Sequence, residues 1–211
     1  MKKATVRVPT KVLGWLEYKL SPKEMDYIWR CIGNKSKEKA NNTLVGHISG
    51  SYYLQDKSDW FWTNTIIPLI NQYTEEFANV GDNFPTNLKH PYYLERWWVN
   101  YQKQCEYNPL HNHSGIYSFV VWMKIPYKDK DQQKIQIARE SNYPSNGRFQ
   151  IYYTNILGEL DTYFYSLNPE DEGTLLFFPS ALHHSVNPYF NCDEERISVS
   201  GNIRLNTAKR I

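Results

Sequence analysis

From Tyr92 onward the chain alternates apolar and polar residues with a period of two, and turn residues interrupt the alternation at short intervals. An extended chain places successive side chains on opposite faces, so this segment is predicted as a succession of strands. We place them near 93–104, 116–125, 133–139, 148–155, 160–166, 173–179, 182–187 and 195–205. About eight consecutive short strands suit a mainly β fold, a sandwich or jelly roll (double-stranded β-helix), which also limits exposed sheet edges. Aromatics make up 16% of the 211 residues, and their clustering in alternating segments favours sheet over a helical bundle.

The first third reads differently. Ser21-Pro22-Lys23-Glu24 has the signature of a helix start, with Ser21 as cap, Pro22 at the first helical position and Glu24 closing a capping box. Met25, Ile28, Trp29 and Ile32 then share one helical face, and Gly33 is a natural stop. A second helix is predicted from Asp59 to Phe77, with Trp62, Ile66, Leu69, Ile70, Tyr73 and Phe77 at helical spacing. Pro68 interrupts it and predicts a kink or break near Thr65. One or two edge strands are expected around Leu13 and Leu16, and within Leu44–Leu54 a short extended piece ending in Ser51-Tyr52-Tyr53-Leu54. The stretches Asn34–Asn42 and Asn79–Pro91 read as loops. The expected organisation is one domain over 1–211, with a helical part at about 1–91 packed outside a jelly-roll core at about 92–205.

Charge narrows the function. The net charge is +2 with no long basic run, which gives no electrostatic case for nucleic acid or a membrane surface. Cys31, Cys105 and Cys192 are odd in number and lack metal-finger spacing, which fits a reducing compartment. Met1-Lys2-Lys3 is not followed by an apolar signal core, and no apolar run approaches spanning length. The expectation is a soluble cytoplasmic protein; its oligomeric state does not follow from the sequence.

Four of the six histidines fall in two places, His111 and His113 before the strand at 116–125, and His183 and His184 after the strand at 173–179. Residues two apart on a strand point to one face, so His111 and His113 can enter a single cavity; in a loop they are ordinary surface histidines. His183 and His184 point to opposite faces if extended, so only one of them faces inward. Imidazoles brought by neighbouring strands can hold a divalent metal with open coordination positions. In the last strand, Arg196, Ser198, Ser200 and Asn202 share one face and Ile197, Val199 and Ile203 the other. If the polar face meets solvent, Arg196 is a solvated charge; if it looks into a barrel, Arg196 and Ser198 form a carboxylate clamp. Tyr101, Tyr117, Phe119, Trp122 and Phe177 serve either as a dry wall to such a site or as ordinary core. The segments Tyr127–Gln133 and Arg139–Gly147 are placed as candidates for a substrate rim, from their position between strands.

The segments Trp98-Val99-Asn100, Asn108 to Gly115, Phe178 to Val186 and Glu195 to Asn202 together resemble the Fe(II)- and 2-oxoglutarate-dependent oxygenases. More narrowly, they are similar to a 2-oxoglutarate oxygenase family common in bacteria and tailed phages, over roughly residues 93–205. The resemblance implies Fe(II) as metal and 2-oxoglutarate as co-substrate, with oxidative decarboxylation to succinate coupled to hydroxylation of a small metabolite or a protein side chain. It implies His111 and His184 as iron ligands and Arg196, helped by Ser198, as partner of the distal carboxylate. Asn100 and Gln102 would line the co-substrate pocket. The wider superfamily usually has Asp or Glu where His113 stands, so His113 is either a third ligand or a hydrogen-bond donor beside the ligand set. Two other readings stand beside this one: a cupin-like dioxygenase with three histidines and no keto acid, and a jelly-roll binding module without catalysis.

Overall fold

The computed structural model describes residues 14–77, 79–83 and 89–209. In chain order the strands are β1 (Leu16–Lys19), β2 (Gly50–Tyr53), β3 (Tyr92–Gln102), β4 (Asn108–His111), β5 (Tyr117–Lys124), β6 (Phe149–Thr154), β7 (Leu160–Tyr165), β8 (Thr174–Pro179), β9 (His183–Val186) and β10 (Arg196–Leu205). The helices are α1 (Pro22–Gly33), α2 (Ile67–Glu76) and two single turns, α3 (Asp129–Gln132) and α4 (Gln136–Arg139). Two antiparallel sheets result. The larger has the order β1-β8-β5-β10-β3-β2 and the smaller β4-β9-β6-β7. This is the mainly β, two-sheet architecture expected of a jelly roll.

Each strand of the larger sheet is sorted by its pleat. On β5, Tyr117, Phe119, Val121 and Met123 point to the helix side, where they join Ile28, Ile32, Phe61, Ile66 and Tyr73. Val120 and Trp122 point the other way, between the sheets, and meet Phe149, Ile151, Leu176 and Phe178. Both faces of β5 are therefore buried, which is why it reads as a nearly continuous apolar run.

Helix α1 begins as expected. The Glu24 backbone N–H donates to Ser21 Oγ, and the Ser21 N–H donates to the Glu24 carboxylate at 2.8 Å. Thr65 and Tyr18 also donate to Glu24, so the cap residue ties α1 to the second helical region and to β1. Ile28 and Ile32 are buried, but Trp29 lies 38% exposed and Cys31 takes the inward position. The break near Thr65 takes the form of a π turn at Trp62–Ile66, in which the Ile67 N–H reaches back to the Trp62 carbonyl. Pro68 lies in the first turn of α2, where its missing N–H costs nothing. The edge strand expected near Leu16 is β1; Leu13 lies outside the described residues.

Two elements depart from the strand pattern. The strand expected over 133–139 is instead helical turns, with Ala138 and Arg139 both donating to the Ile135 carbonyl. The Ile135/Ile137 alternation is misleading because no neighbouring strand pairs with it, and Ile137 is 61% exposed. Conversely β4 forms across Pro109, which lacks a ladder donor. It is tolerated because β4 is an edge strand, with a register irregularity between Asn108 and His111.

Gly201 shows how tightly β10 is held against the helix-side core. A methyl group there would come within 2.6 Å of the Phe119 ring and 2.9 Å of Trp97 Cβ. Gly201→Ala is expected to destabilise the protein by about 1–3 kcal/mol, measured by urea unfolding.

Candidate active site

The pairing of β4 with β9 sets His111 directly opposite His184, with ring centroids 4.3 Å apart. His113 follows the end of β4, and its backbone N–H donates to the Ser180 carbonyl at 2.8 Å, which turns it back towards the other two. The ligand-capable nitrogens of the three imidazoles all lie within 4.8 Å of one another. His184 is 4% exposed, whereas His183, on the opposite face of β9, is exposed.

Two of the rings have a fixed tautomer. His111 Nδ1 donates to the Pro109 carbonyl at 2.7 Å, and His184 Nδ1 donates to the Leu182 carbonyl at 2.9 Å. In each case Nδ1 carries the proton and Nε2 keeps its lone pair, the state a metal requires. Burial pushes all three imidazoles below their ordinary value, His113 to about 4 and His184 well below it. The rings are thus neutral at pH 7, a donor set fitted to a divalent metal.

The imidazoles open on a cavity of about 220 Å³ between the sheets. The polar face of β10 forms one wall, so Arg196, Ser198, Ser200 and Asn202 look inward, with Asn100 and Gln102 from β3 beside them. Arg196 is 1% exposed and forms no ion pair among the described residues. Its guanidinium donates only to neutral acceptors: the Tyr127 hydroxyl, the Gly147 carbonyl at 2.8 Å, Gln102 Oε1 at 2.5 Å and the Asn187 carbonyl at 3.4 Å. The Tyr127 and Tyr189 rings lie 5.8 and 5.6 Å from it. Gln102 thus holds the arginine. Leaving a buried cation without an anion is costly, so this guanidinium can take an anionic ligand.

All seven candidate site residues, His111, His113, His184, Arg196, Ser198, Asn100 and Gln102, line this one cavity. The proposed rim does not. Tyr127 and Gly147 lie beneath Arg196 and grip it, and Asp129 forms a two-pronged ion pair with Arg148. Tyr127, stacked on Tyr189, and Gly147 thus support the guanidinium from behind, while most other residues of these segments are exposed or half-buried. The outer wall includes Thr43, Leu44, Val45 and Gly46, from the segment that precedes β2. Gly46 covers Asn108, whose buried Oδ1 has no partner, and a side chain at 46 would collide with it. Of the aromatics proposed as a dry wall, Trp122 and Phe119 line the cavity, Phe119 also packing on the helix side, where Tyr101, Tyr117 and Phe177 lie.

The depressed imidazoles make stability depend on pH. In the unfolded chain they take up protons near pH 6.5, whereas folded His113 resists down to about 4. Their contribution is complete above pH 6.5 and is lost as pH falls towards 4, because the unfolded state binds more protons. Urea unfolding of the metal-free protein is expected to show this loss between pH 7.5 and 5, and His113→Asn to show a smaller one.

Comparison with known proteins agrees with this geometry. No curated protein gives a significant sequence match. The chain is similar in structure to a prolyl-4-hydroxylase of Pseudomonas putida, with 15% identity, a TM-score of 0.50, and 91% of this chain and 92% of that one covered. It is similar also to the non-haem α-ketoglutarate-dependent epimerase SnoN from nogalamycin biosynthesis, with 13% identity, a TM-score of 0.51, and 90% and 77% covered. At such identities the likeness establishes the fold, a double-stranded β-helix. Residues 96–202, just over half of the chain, match the family model described as "Putative 2OG-Fe(II) oxygenase". The chain therefore belongs to the 2OG-Fe(II) oxygenases, oxidoreductases that work with Fe(II) and 2-oxoglutarate.

Proposed function

We propose that this oxygenase hydroxylates a C–H bond of a small metabolite or a protein side chain, using the cavity between the sheets as its active site. The observation that carries the reading is the buried, anion-free Arg196 facing the same cavity as three neutral imidazoles. When bound, Fe(II) and 2-oxoglutarate supply the oxidising chemistry: O2 decarboxylates the keto acid to succinate and carbon dioxide, and its second oxygen atom enters a C–H bond.

His111 and His184 hold the metal through Nε2, their Nδ1 protons anchored on backbone carbonyls. His113 would supply the third nitrogen, its ring lying near the other two. Arg196 receives the distal carboxylate of 2-oxoglutarate, with the Ser198 hydroxyl two residues on. A carboxylate accepts from a guanidinium more strongly than the neutral oxygens now around it, so it can displace or share them. Asn100 flanks the co-substrate, and Gln102 keeps Arg196 oriented. Trp122, Phe149 and Phe178 exclude water from one side of the cavity. A cupin-like dioxygenase needs no buried guanidinium, so Arg196 disfavours that reading, and iron-dependent turnover separates the enzyme from a binding module.

Anaerobic titration of the Fe(II)-loaded protein with 2-oxoglutarate is expected to give a weak visible charge-transfer band. Iron bound without that band would turn the assignment to a three-histidine site that takes no keto acid. Arg196→Lys keeps the charge but loses the fork, and should weaken 2-oxoglutarate binding about tenfold or more with iron retained. Equal loss of both would make Arg196 structural. Metal analysis should find iron lost in His184→Ala and kept in His183→Ala.

A further inference from the structure

The cavity wall contains no carboxylate. Its charged or metal-capable side chains are Arg196, His111, His113 and His184, and no Asp or Glu lines it. Every Asp and Glu of the sequence lies within the described residues, so none is hidden elsewhere. The partly buried acids Asp129 and Glu95 are paired with Arg148 and Arg204. Resting on the function proposed above, the charges can be summed. Histidines that bind a metal are neutral. A divalent metal and Arg196 bring three positive charges, and 2-oxoglutarate brings two negative ones. One positive charge is left over in a largely enclosed site, where it attracts an anion far more strongly than it would in water. A protein carboxylate in place of His113 would have cancelled it.

The donors are arranged to receive that anion at a definite place. Asn202 Oδ1 accepts from Ser118 Oγ at 2.9 Å, so the group Asn202 presents to the cavity is its NH2. Ser118 Oγ also meets Ser180 Oγ at 2.8 Å, and the Ser180 carbonyl accepts the His113 N–H, so Asn202 is coupled to the histidine end of the site. Trp98 contacts the His113 ring and pairs with Ser200 of β10, which sets the level of the imidazoles on that strand. Arg196 lies four residues away, about 13 Å along the strand, and Asn202 two residues away, about 7 Å in the opposite direction. The diacid end and the Asn202 end thus flank the imidazoles.

We propose that the substrate to be oxidised is itself an anion, bearing a carboxylate or phosphate group that the Asn202 amide binds on the side of the histidines away from Arg196. An oxyanion accepts from an amide NH2 and offsets the remaining charge. A neutral substrate can accept from the amide but leaves the charge unbalanced.

The test uses the full chain loaded with Mn(II) and saturating 2-oxoglutarate, which blocks the Arg196 end, and follows ligand binding by titration calorimetry. Acetate or inorganic phosphate should bind about tenfold or more tightly than the neutral isostere acetamide. The stronger of the two anions identifies the headgroup. Asn202→Asp keeps an acceptor for Ser118 and so the fold, but replaces the donor by a charge, and should weaken anion binding about tenfold or more while Mn(II) and 2-oxoglutarate remain bound. His113→Asp should weaken it likewise by restoring the missing negative charge. Acetamide binding as well as the anions, or both variants binding acetate and phosphate unchanged, would overturn the inference and leave the oxygenase reading intact. Failure of 2-oxoglutarate itself to bind would overturn that reading first.

Discussion

The register between β4 and β9 governs the candidate active site. It places His111 opposite His184, and a one-residue slip would bring His183 inward and carry His184 to the exposed face. The short edge strand β4 keeps that register despite Pro109. The Pro109 carbonyl even contributes, because it takes the Nδ1 proton of His111 and fixes which nitrogen faces the cavity. The Leu182 carbonyl does the same for His184 across the ladder. Backbone geometry alone thus presents two lone pairs to one point before any metal arrives.

The second constraint is the buried guanidinium. Arg196 begins β10, whose polar face lines the cavity while Val199, Gly201 and Ile203 press on the helix side. Its neutral cradle comes from four separate segments, contributing Gln102, Tyr127, Gly147 and Asn187. Neutral partners satisfy the donors without cancelling the charge, so the field stays available to a ligand. A structural ion pair, such as Arg148 with Asp129 a short distance along the chain, would have removed it.

Much of the fold was legible because local chemistry and tertiary packing agree. The Ser21/Glu24 box starts α1, and Pro68 enforces a break that the π turn absorbs. Seven of the eight predicted strands follow the alternation because each has a partner on at least one side. The segment 133–139 fails for want of one, and Trp29 fails because the helix face meeting the sheet is centred on Ile28, Cys31 and Ile32. Within the site, the histidines and the arginine were visible as residue types at suggestive spacings. The residues that orient them were not, since Tyr127, Gly147 and Asn187 resemble any loop tyrosine, glycine and asparagine. Asn202 stood in view on the polar face of β10, yet its importance depends on Ser118 tying up its oxygen.

The sequence by itself determined the strand-rich character, the helix start at Ser21, and the presence of two histidine clusters and an Arg-x-Ser, because these are properties of neighbouring residues. Only the tertiary structure decided which face of β10 is inside, which of His183 and His184 turns inward, and that the cavity has no carboxylate. Those facts depend on how distant strands pair and on which side of each sheet the helices cover. Facing and enclosure are relations between segments, and a linear pattern holds both alternatives until the chain is packed.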